Sequence, residues 1–441
     1  MTCARFIKII LLTAICTIIL SCNGPKKEKV QVVILGFDGA NWPTIDPLIE
    51  AGKLPFLKQL KENSAWADFK TDKPTKSSVV WTSIATGKTM KKHGILDFTY
   101  LKEHNLEVPF SNSEKREPSL WQMLDRFGMR SVVINWFVTY PPDQFNGVMV
   151  SDRFRQIMIK KPQFANDCVD TVTPAMDFYR LKKVIRRDYG RTIERIGMPD
   201  FIELFQKINP GKDFRKSFTL QNSRTFVMQD ALVEDVSDRL FKTEKADLYM
   251  TYFRLPDIVQ HLVLRLFDYE YINTMFPAEG ETWNMSAEKQ REVIGRISQK
   301  LEPVYRYMDR LLQKYISDPK FKDAYFFIMS DHGFSLYPGG YNHYDLPKDM
   351  EAPPGILLVR GPSVKPGKIN ACIYDIAPTI LYLFGLPVDR NMDGRPLQDV
   401  FKLSRKLKYS LYTLDRDKKS IARKDSDRET LEELKALGYI N

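Results

Sequence analysis

Two of the chain's five histidines fall in one short stretch, Tyr325 to His343. It opens on an apolar run, Tyr325 to Met329, and breaks off at Ser330-Asp331-His332-Gly333. Such a run suits a strand buried on both faces. A carboxylate and an imidazole then stand side by side where the strand ends, which is where open α/β sheets bind ligands. Gly333 frees the backbone to turn, and His343 follows on a glycine-rich loop. A lone Asp-His pair after a strand is more often a polar turn, so the case for chemistry depends on matching pieces elsewhere.

Three other segments supply them. The apolar run Val30 to Phe37 ends in Asp38-Gly39. A further run, Ala246 to Phe253, is followed by RLPDIVQH, which places Asp257 and His261 four residues apart. That spacing puts both on one face of a helical turn, within reach of a single cation. Asp38, Asp257, Asp331, His261, His332 and His343 thus offer two sets of carboxylate and imidazole donors. Zinc takes both ligand types and keeps a position open in catalytic sites. Ligand type alone leaves manganese or iron as alternatives. The last segment runs from Pro74 to Phe98, with Ser77 and Ser78 opening a helix, Val79 to Ala85, that stops at Thr86-Gly87. A hydroxyl there meets the positive end of the helix dipole and free backbone N–H groups, which suits a nucleophile and a phosphoryl oxygen. Plain N-capping uses serine in the same place and is the commoner reading of such a serine taken alone.

The remaining pattern supplies elements to hold these residues. Helices are expected over Asn41 to Leu60, opening with Pro43, and over Pro118 to Phe127, Ser223 to Phe241, Glu288 to Ile316 and Asp375 to Phe384. Further strands are expected at Ser131 to Trp136 and Gly355 to Val359. Strands alternating with helices predict an α/β fold with a doubly wound, mainly parallel central sheet flanked by helices. From about 156 to 221 the pattern loosens and charge becomes dense, which reads as a helical insertion or cap. The last residues, Arg416 to Asn441, are polar with a final Leu-rich helix. The chain has 441 residues, enough for one large core, and residues 30–441 are read as one catalytic domain.

Composition is globular, with 43% hydrophobic, 12% aromatic and 27% charged residues, and the net charge is +11. A basic surface attracts anions. No zinc-knuckle spacing, RNP-like motif or basic heptad is present, so small anionic substrates fit better than nucleic acid. Arg5 and Lys8 precede the apolar run Ile9 to Leu20, which is short for a membrane span. It ends in Ser21-Cys22, a junction that resembles a bacterial lipobox. This reading makes residues 1–21 a lipoprotein signal peptide, Cys22 the lipid-anchored first residue and 22–29 a tether. The body then sits at the bacterial cell envelope, facing the periplasm or the outside. An ordinary signal peptide or an uncleaved anchor are the alternatives. Cys168 and Cys372 remain in the mature chain, either as one disulfide or as two thiols.

The ordered set GFDG, PTKS…WTSIATG…KKHGI, PDIVQH and SDHG…H resembles the alkaline phosphatase superfamily. Within it the set is most similar to the type I phosphodiesterase/nucleotide pyrophosphatase family. The similarity runs from about Val30 to Val400. It implies two divalent metal ions, zinc first and manganese as the alternative. One would be held by Asp257, His261 and His343, the other by Asp38, Ser77, Asp331 and His332. The nucleophile, counted ten residues before Gly87, is Ser77, with Ser78 as the fallback. The implied activity is metal-dependent hydrolysis of phosphate esters, phosphodiesters or nucleotide pyrophosphates foremost, through a covalent phosphoseryl intermediate on the two-metal site.

The chain also departs from the family pattern. Many relatives carry Thr at the nucleophile, and Pro and then Asn or Ala where Val79 and Val80 stand. Nucleotide-cleaving members carry an Asn soon after HGI, whereas this chain reads HGILDF. Phosphomonoesterase, sulfatase-like and phospho-group transferase activities therefore stay open. The segment Ser77-Ser78-Val79-Val80-Trp81 lacks the context from which a sulfatase makes formylglycine. A catalytically silent surface lipoprotein is a further alternative, opposed by the cost of burying six unpaired polar groups. His93 is expected to support its loop, His104 to be solvated, and Lys76 to be an exposed loop lysine or a counter-charge for phosphate.

Overall fold

Val32–Phe37 (β1) is buried along its whole length, as are Leu248–Phe253 and Tyr325–Met329. A strand with no polar face has to be covered on both sides, and this one is. The computed structural model describes residues 30–155, 170–174, 181, 218–267, 285–337, 340–344, 346–403, 405–414, 425–437 and 439–440. In chain order the other strands of the main sheet are Ala65–Phe69 (β2), Ser131–Ile134 (β3), Gly147–Val150 (β4), Val172–Thr173 (β5), Leu248–Phe253 (β6), Tyr325–Met329 (β7), Gly355–Arg360 (β8) and Gly367–Lys368 (β9). They form one 9-stranded mixed sheet in the order β9-β2-β8-β7-β1-β6-β3-β4-β5. From β7 through β1, β6 and β3 to β4 every pairing is parallel. β8 runs antiparallel to both β7 and β2, and β5 runs antiparallel to β4.

Helices cover both faces. Val33, Leu35 and Phe37 point into a large core shared with Trp42–Glu50 (α1), Pro55–Glu62 (α2), Phe218–Thr243 and Ala287–Ile316. On the opposite face Ser77–Thr86 (α3) packs close to β1. A Cβ on Gly36 would lie 2.7 Å from the Trp81 ring, so glycine there lets the helix approach. Trp81 meets Trp136 and Tyr252 edge-on at 4.9 Å each. Leu120–Asp125 (α4) is opened by a capping box of Ser119 and Gln122. The remaining long helices are Phe218–Thr243 (α5), Leu255–Phe267 (α6), Ala287–Ile316 (α7), Ile376–Phe384 (α8) and Asp425–Leu437 (α9).

The expected helix Asn41 to Leu60 is two helices. α1 stops at Glu50, Gly52 adopts φ +72, and Pro55 starts α2. A left-handed glycine ends a helix and proline suits the first position of the next. The N-terminus of α2 has no side-chain cap of its own; Asp309 on α7 supplies one, accepting from Leu57 N at 2.6 Å. Strands β2, β4, β5 and β9 were not anticipated, and β5 falls inside the stretch read as a helical insertion. The rest of that stretch, apart from residues 170–174, 181 and 218–221, lies outside the described residues, as do residues 1–29, read above as signal and tether, and Cys168. Cys372 is a free thiol. Among the described residues no helix is long and apolar enough to cross a membrane.

Candidate active site

The carboxyl ends of β1, β6 and β7 lie side by side, and each releases a ligand-type side chain at the same edge. Asp38 follows β1 directly, and its N–H is held by Phe253 O, the last residue of β6, at 2.9 Å. Asp257 sits in the first turn of α6, with His261 one turn on. Asp331 and His332 follow β7. A short antiparallel pair, Ser335–Tyr337 with Gly340–Asn342, then returns the chain so that His343 points back into the site. Thus His343 follows a strand of this hairpin, rather than lying on an open loop.

Backbone geometry sets these positions tightly. Gly39 has φ +68, and a Cβ there would come within 2.9 Å of Asp257 Cα. At Gly333 a Cβ would lie 2.5 Å from Pro354 O. Both glycines are required by close approach of another segment.

All six candidate ligand residues are buried. Asp257 Oδ1 lies 3.3 Å from His261 Nε2 and 3.4 Å from His343 Nε2, and the two imidazole nitrogens are 2.9 Å apart. His332 Nε2 lies 3.4 Å from Asp38 Oδ1 and 3.3 Å from Asp331 Oδ2. His332 and His343 stack in parallel at 3.7 Å. Donor atoms of Asp257, His261 and His343 converge as one group that could hold a metal ion, as anticipated. A second group joins Asp38 and His332 to Asp257. Asp331, expected beside Asp38 and His332, accepts from Gly39 N at 3.3 Å through Oδ1 and leaves Oδ2 3.3 Å from His332 Nε2. Asp257 is therefore common to both groups.

The donor set fits cations on three counts. First, Asp257 Oδ1, Asp331 Oδ2 and His332 Nε2 are buried with no hydrogen-bond partner among the described residues. Unsatisfied buried atoms of this kind are costly. Second, His343 Nδ1 lies 2.9 Å from Thr75 O and His332 Nδ1 lies 3.2 Å from Gly333 O. A proton on each Nδ1 satisfies the carbonyl and leaves the Nε2 lone pair facing the interior, the arrangement of a metal-bound histidine. Third, the carboxylates crowd one another. Burial, then Asp331 and Asp257, push Asp38 well above the usual carboxyl range. Burial also raises Asp331, against the pull of His332. Burial works to raise Asp257 too, yet His261, His343 and His332 outweigh it and hold its carboxyl far below. Burial, then His332 and His261, depress His343, with Asp257 opposing. Divalent cations would relieve this crowding.

Ser77 opens α3 with its Oγ 3.4 Å from Asp38 Oδ1. Lys76, the N-cap, makes no side-chain bond to the helix end. Ser78 Oγ is turned elsewhere and donates to Asp97 O at 2.8 Å. Lys76 is half-buried and bound to Asp97 at 2.5 Å, so it is not the exposed loop lysine expected. His104 is exposed. Two tyrosines complete the shell: Tyr252 donates to Asp38 Oδ2, and Tyr439 donates to Asp257 Oδ2 at 2.6 Å. Neither carries a local motif that marks it.

His93 supports its loop. Its Nδ1 accepts from Ile95 N at 3.2 Å and its Nε2 meets Ser83 Oγ at 3.0 Å. Burial, then Lys115, lowers its pKa to about 3. The unfolded chain protonates His93 near pH 6.5 and the folded chain does not, so acidification favours unfolding across the window from 6.5 to 3. Denaturant titrations of the wild type and His93→Gln at pH 7 and 5 should differ in pH dependence. We expect the wild type to lose about 2 kcal/mol more than the variant over that interval.

Residues 32–368 match the family described as Type I phosphodiesterase / nucleotide pyrophosphatase. A 2-O GAG sulfatase superposes with a TM-score of 0.52 at 12% identity, over 87% of this chain and 76% of that one. A putative sulfatase from Bacteroides thetaiotaomicron gives 0.50 at 12% identity, again over 87% and 76%. Murine ectonucleotide pyrophosphatase / phosphodiesterase 5, solved in complex with AMP, gives 0.45 at 11% identity, over 85% of this chain and 100% of that one. At such identities the likeness is one of fold.

Proposed function

Because the chain belongs to the type I phosphodiesterase/nucleotide pyrophosphatase family of metal-dependent phosphoester hydrolases, we propose that it hydrolyses phosphate esters, phosphodiesters or nucleotide pyrophosphates foremost, with Ser77 as nucleophile. The observation that carries this reading is the placement of Ser77 Oγ 3.4 Å from Asp38 at a buried cluster of Asp and His donors.

Ser77 stands at the first position of α3, where the leading N–H groups have no partner within the helix. Negative charge on a phosphoryl oxygen or on Oγ is favoured there. Asp38 Oδ1 is the carboxylate nearest the Ser77 hydroxyl and orients it. Oγ bonds to phosphorus as the P–O bond to the leaving group breaks, and the Ser77 proton ends on the departing oxygen, leaving the remaining phosphoryl group on Ser77. Water then attacks phosphorus and one of its protons returns to Oγ as the P–Oγ bond breaks; a diester or pyrophosphate thus releases a phosphate monoester, and a monoester releases phosphate. Two divalent cations, one held by Asp257, His261 and His343 and the other by Asp38, Ser77, Asp331 and His332 with Asp257 within reach of both, would lower the pKa of Ser77 and neutralise charge on the transferring group. Tyr252 and Tyr439 fix the orientation of Asp38 and Asp257.

Purified protein loaded with zinc or manganese should hydrolyse bis-p-nitrophenyl phosphate faster than p-nitrophenyl phosphate, and p-nitrophenyl sulfate not at all. A faster monoester moves the assignment to phosphomonoesterase. Turnover of the sulfate alone would overturn it.

The same reading divides the chain into a signal peptide, a tether and one catalytic domain whose stretch from about 156 to 221 shapes the pocket. It holds the domain at the bacterial cell envelope through lipidated Cys22. Arg5, Lys8, the run Ile9 to Leu20 and Ser21-Cys22 support this. Radiolabelled palmitate should enter the wild type in a bacterial host and be lost in Cys22→Ala; equal labelling of both refutes the anchor.

A further inference from the structure

A second cluster of charge flanks the candidate site and has no part in the chemistry above. Arg153, Arg155 and Arg254 are each 3% exposed and line one cavity together with Ser78, Phe137 and Glu433. Ser78 adjoins the proposed nucleophile. Arg254 directly follows β6, three residues before Asp257, and Arg254 N is tied to Asp230. The cavity therefore borders the start of α3, next to Ser77, and the carboxyl end of β6.

Guanidinium groups stay charged, and burying three of them needs counter-charge. The carboxylates nearby in the body of the fold face backbone donors. Asp230 takes Arg254 N at 3.0 Å and Leu255 N at 2.7 Å, and Asp152 takes Val138 N at 2.9 Å. Among the described residues, Glu433 and Asp427 of the C-terminal helix α9 meet the guanidinium groups. Glu433 accepts from Arg254 Nη1 and lies 3.4 Å from Arg155 Nη2, and Asp427 lies 2.7 Å from Arg153. Gln229 Nε2 also reaches Glu433, at 3.4 Å. Arg155 Nε is buried with no partner among the described residues. Arg155 Nη1 donates to Asp152 O at 3.0 Å. Among the described residues one carboxylate on α9 thus serves two buried arginines, and Arg155 Nε is left over. The same segment carries Tyr439, whose ring lies 5.2 Å from His261 and 4.6 Å from Phe98 while its hydroxyl holds Asp257. The C-terminal segment therefore fills space beside both the proposed ligands and the arginines.

We propose that Arg254 and Arg155 form a subsite for a second anionic group of the substrate, a carboxylate or further phosphoryl group beyond the scissile ester, and that Glu433 holds this subsite in the substrate-free protein. This rests on the hydrolase reading above and favours, among its substrates, esters with a second negative charge. A planar oxyanion matches the guanidinium fork as Glu433 does.

The test uses the full chain as Ser77→Ala, loaded with zinc, so that binding is read by calorimetry without turnover. Methylphosphonate is compared with ω-phosphonocarboxylates and α,ω-bisphosphonates of one to four carbons. At least one chain length should bind about tenfold tighter than methylphosphonate, since a charge-assisted bond at the second group is gained. The class that gains more identifies the second group as carboxylate or phosphoryl. Adding Glu433→Gln should tighten that probe several-fold by removing the competing carboxylate. Adding Arg254→Gln should weaken it at least fivefold more than methylphosphonate. No preference at any length, or equal weakening of both probes by Arg254→Gln, overturns the subsite. Should Arg254→Gln not fold, unchanged or weaker binding in Glu433→Gln overturns it instead. Ester hydrolysis by the wild type without a length preference sinks the subsite alone. Preference without hydrolysis of any ester leaves the subsite standing and sinks the hydrolase reading.

Discussion

Ser77→Ala is expected to remove ester hydrolysis, lowering kcat by at least about 10³-fold, as loss of a nucleophile does. Its metal content should match the wild type, because Ser77 contributes a hydroxyl to a site built mainly from Asp and His. Ser78→Ala is the control. Ser78 Oγ donates to Asp97 O at 2.8 Å and is turned away from the carboxylates. Losing that bond should cost about 1 kcal/mol of stability and leave most of the activity. The two hydroxyls are adjacent in the chain, and only the helix start separates their directions. Steady-state kinetics with elemental analysis of each variant checks this. An active Ser77→Ala together with an inactive Ser78→Ala would transfer the nucleophile by one residue.

Asp257→Ala is expected to have the largest effect on metal content. Asp257 belongs to both groups of converging donors, whereas His343 belongs to one. Its Oδ1 faces His261 and His343 and has no hydrogen-bond partner among the described residues, and its Oδ2 is held by Tyr439. His343→Ala should lose one bound metal of two. Asp257→Ala should lose that metal and weaken or lose the other, with hydrolysis abolished in both variants. Elemental analysis after gel filtration gives the stoichiometry directly. Full occupancy in Asp257→Ala would remove it from the ligand set, and equal losses in the two variants would remove its bridging role. The variant also leaves His261 and His343 with their nitrogens 2.9 Å apart and no carboxylate between them.

Much of the site was legible because its signals are local. Apolar runs ending in Asp38, in Arg254-Leu255-Pro256-Asp257 and in Ser330-Asp331-His332 marked buried strands and the edge where they stop. The spacing of Asp257 and His261 marked one helical face, and Ser77 marked a helix start. Proline and glycine chemistry also held the break between α1 and α2, although periodicity alone ran the two helices together. These features depend on neighbours within a turn or a strand, so the chain's order of residues was enough.

Other features required distant segments to meet. Strand order and the antiparallel entry of β8 come from pairings between residues far apart in sequence. Asp257 became a shared donor only when β1, β6 and β7 were set side by side. Tyr439 reaches Asp257 across 182 residues, and Glu433 reaches Arg254 across 179. No periodicity or short motif encodes such contacts. Sequence by itself determined which groups could do the chemistry and at which strand ends they stand. Tertiary structure decided which of them share a site and what covers it, because burial and charge pairing are settled between elements rather than along them.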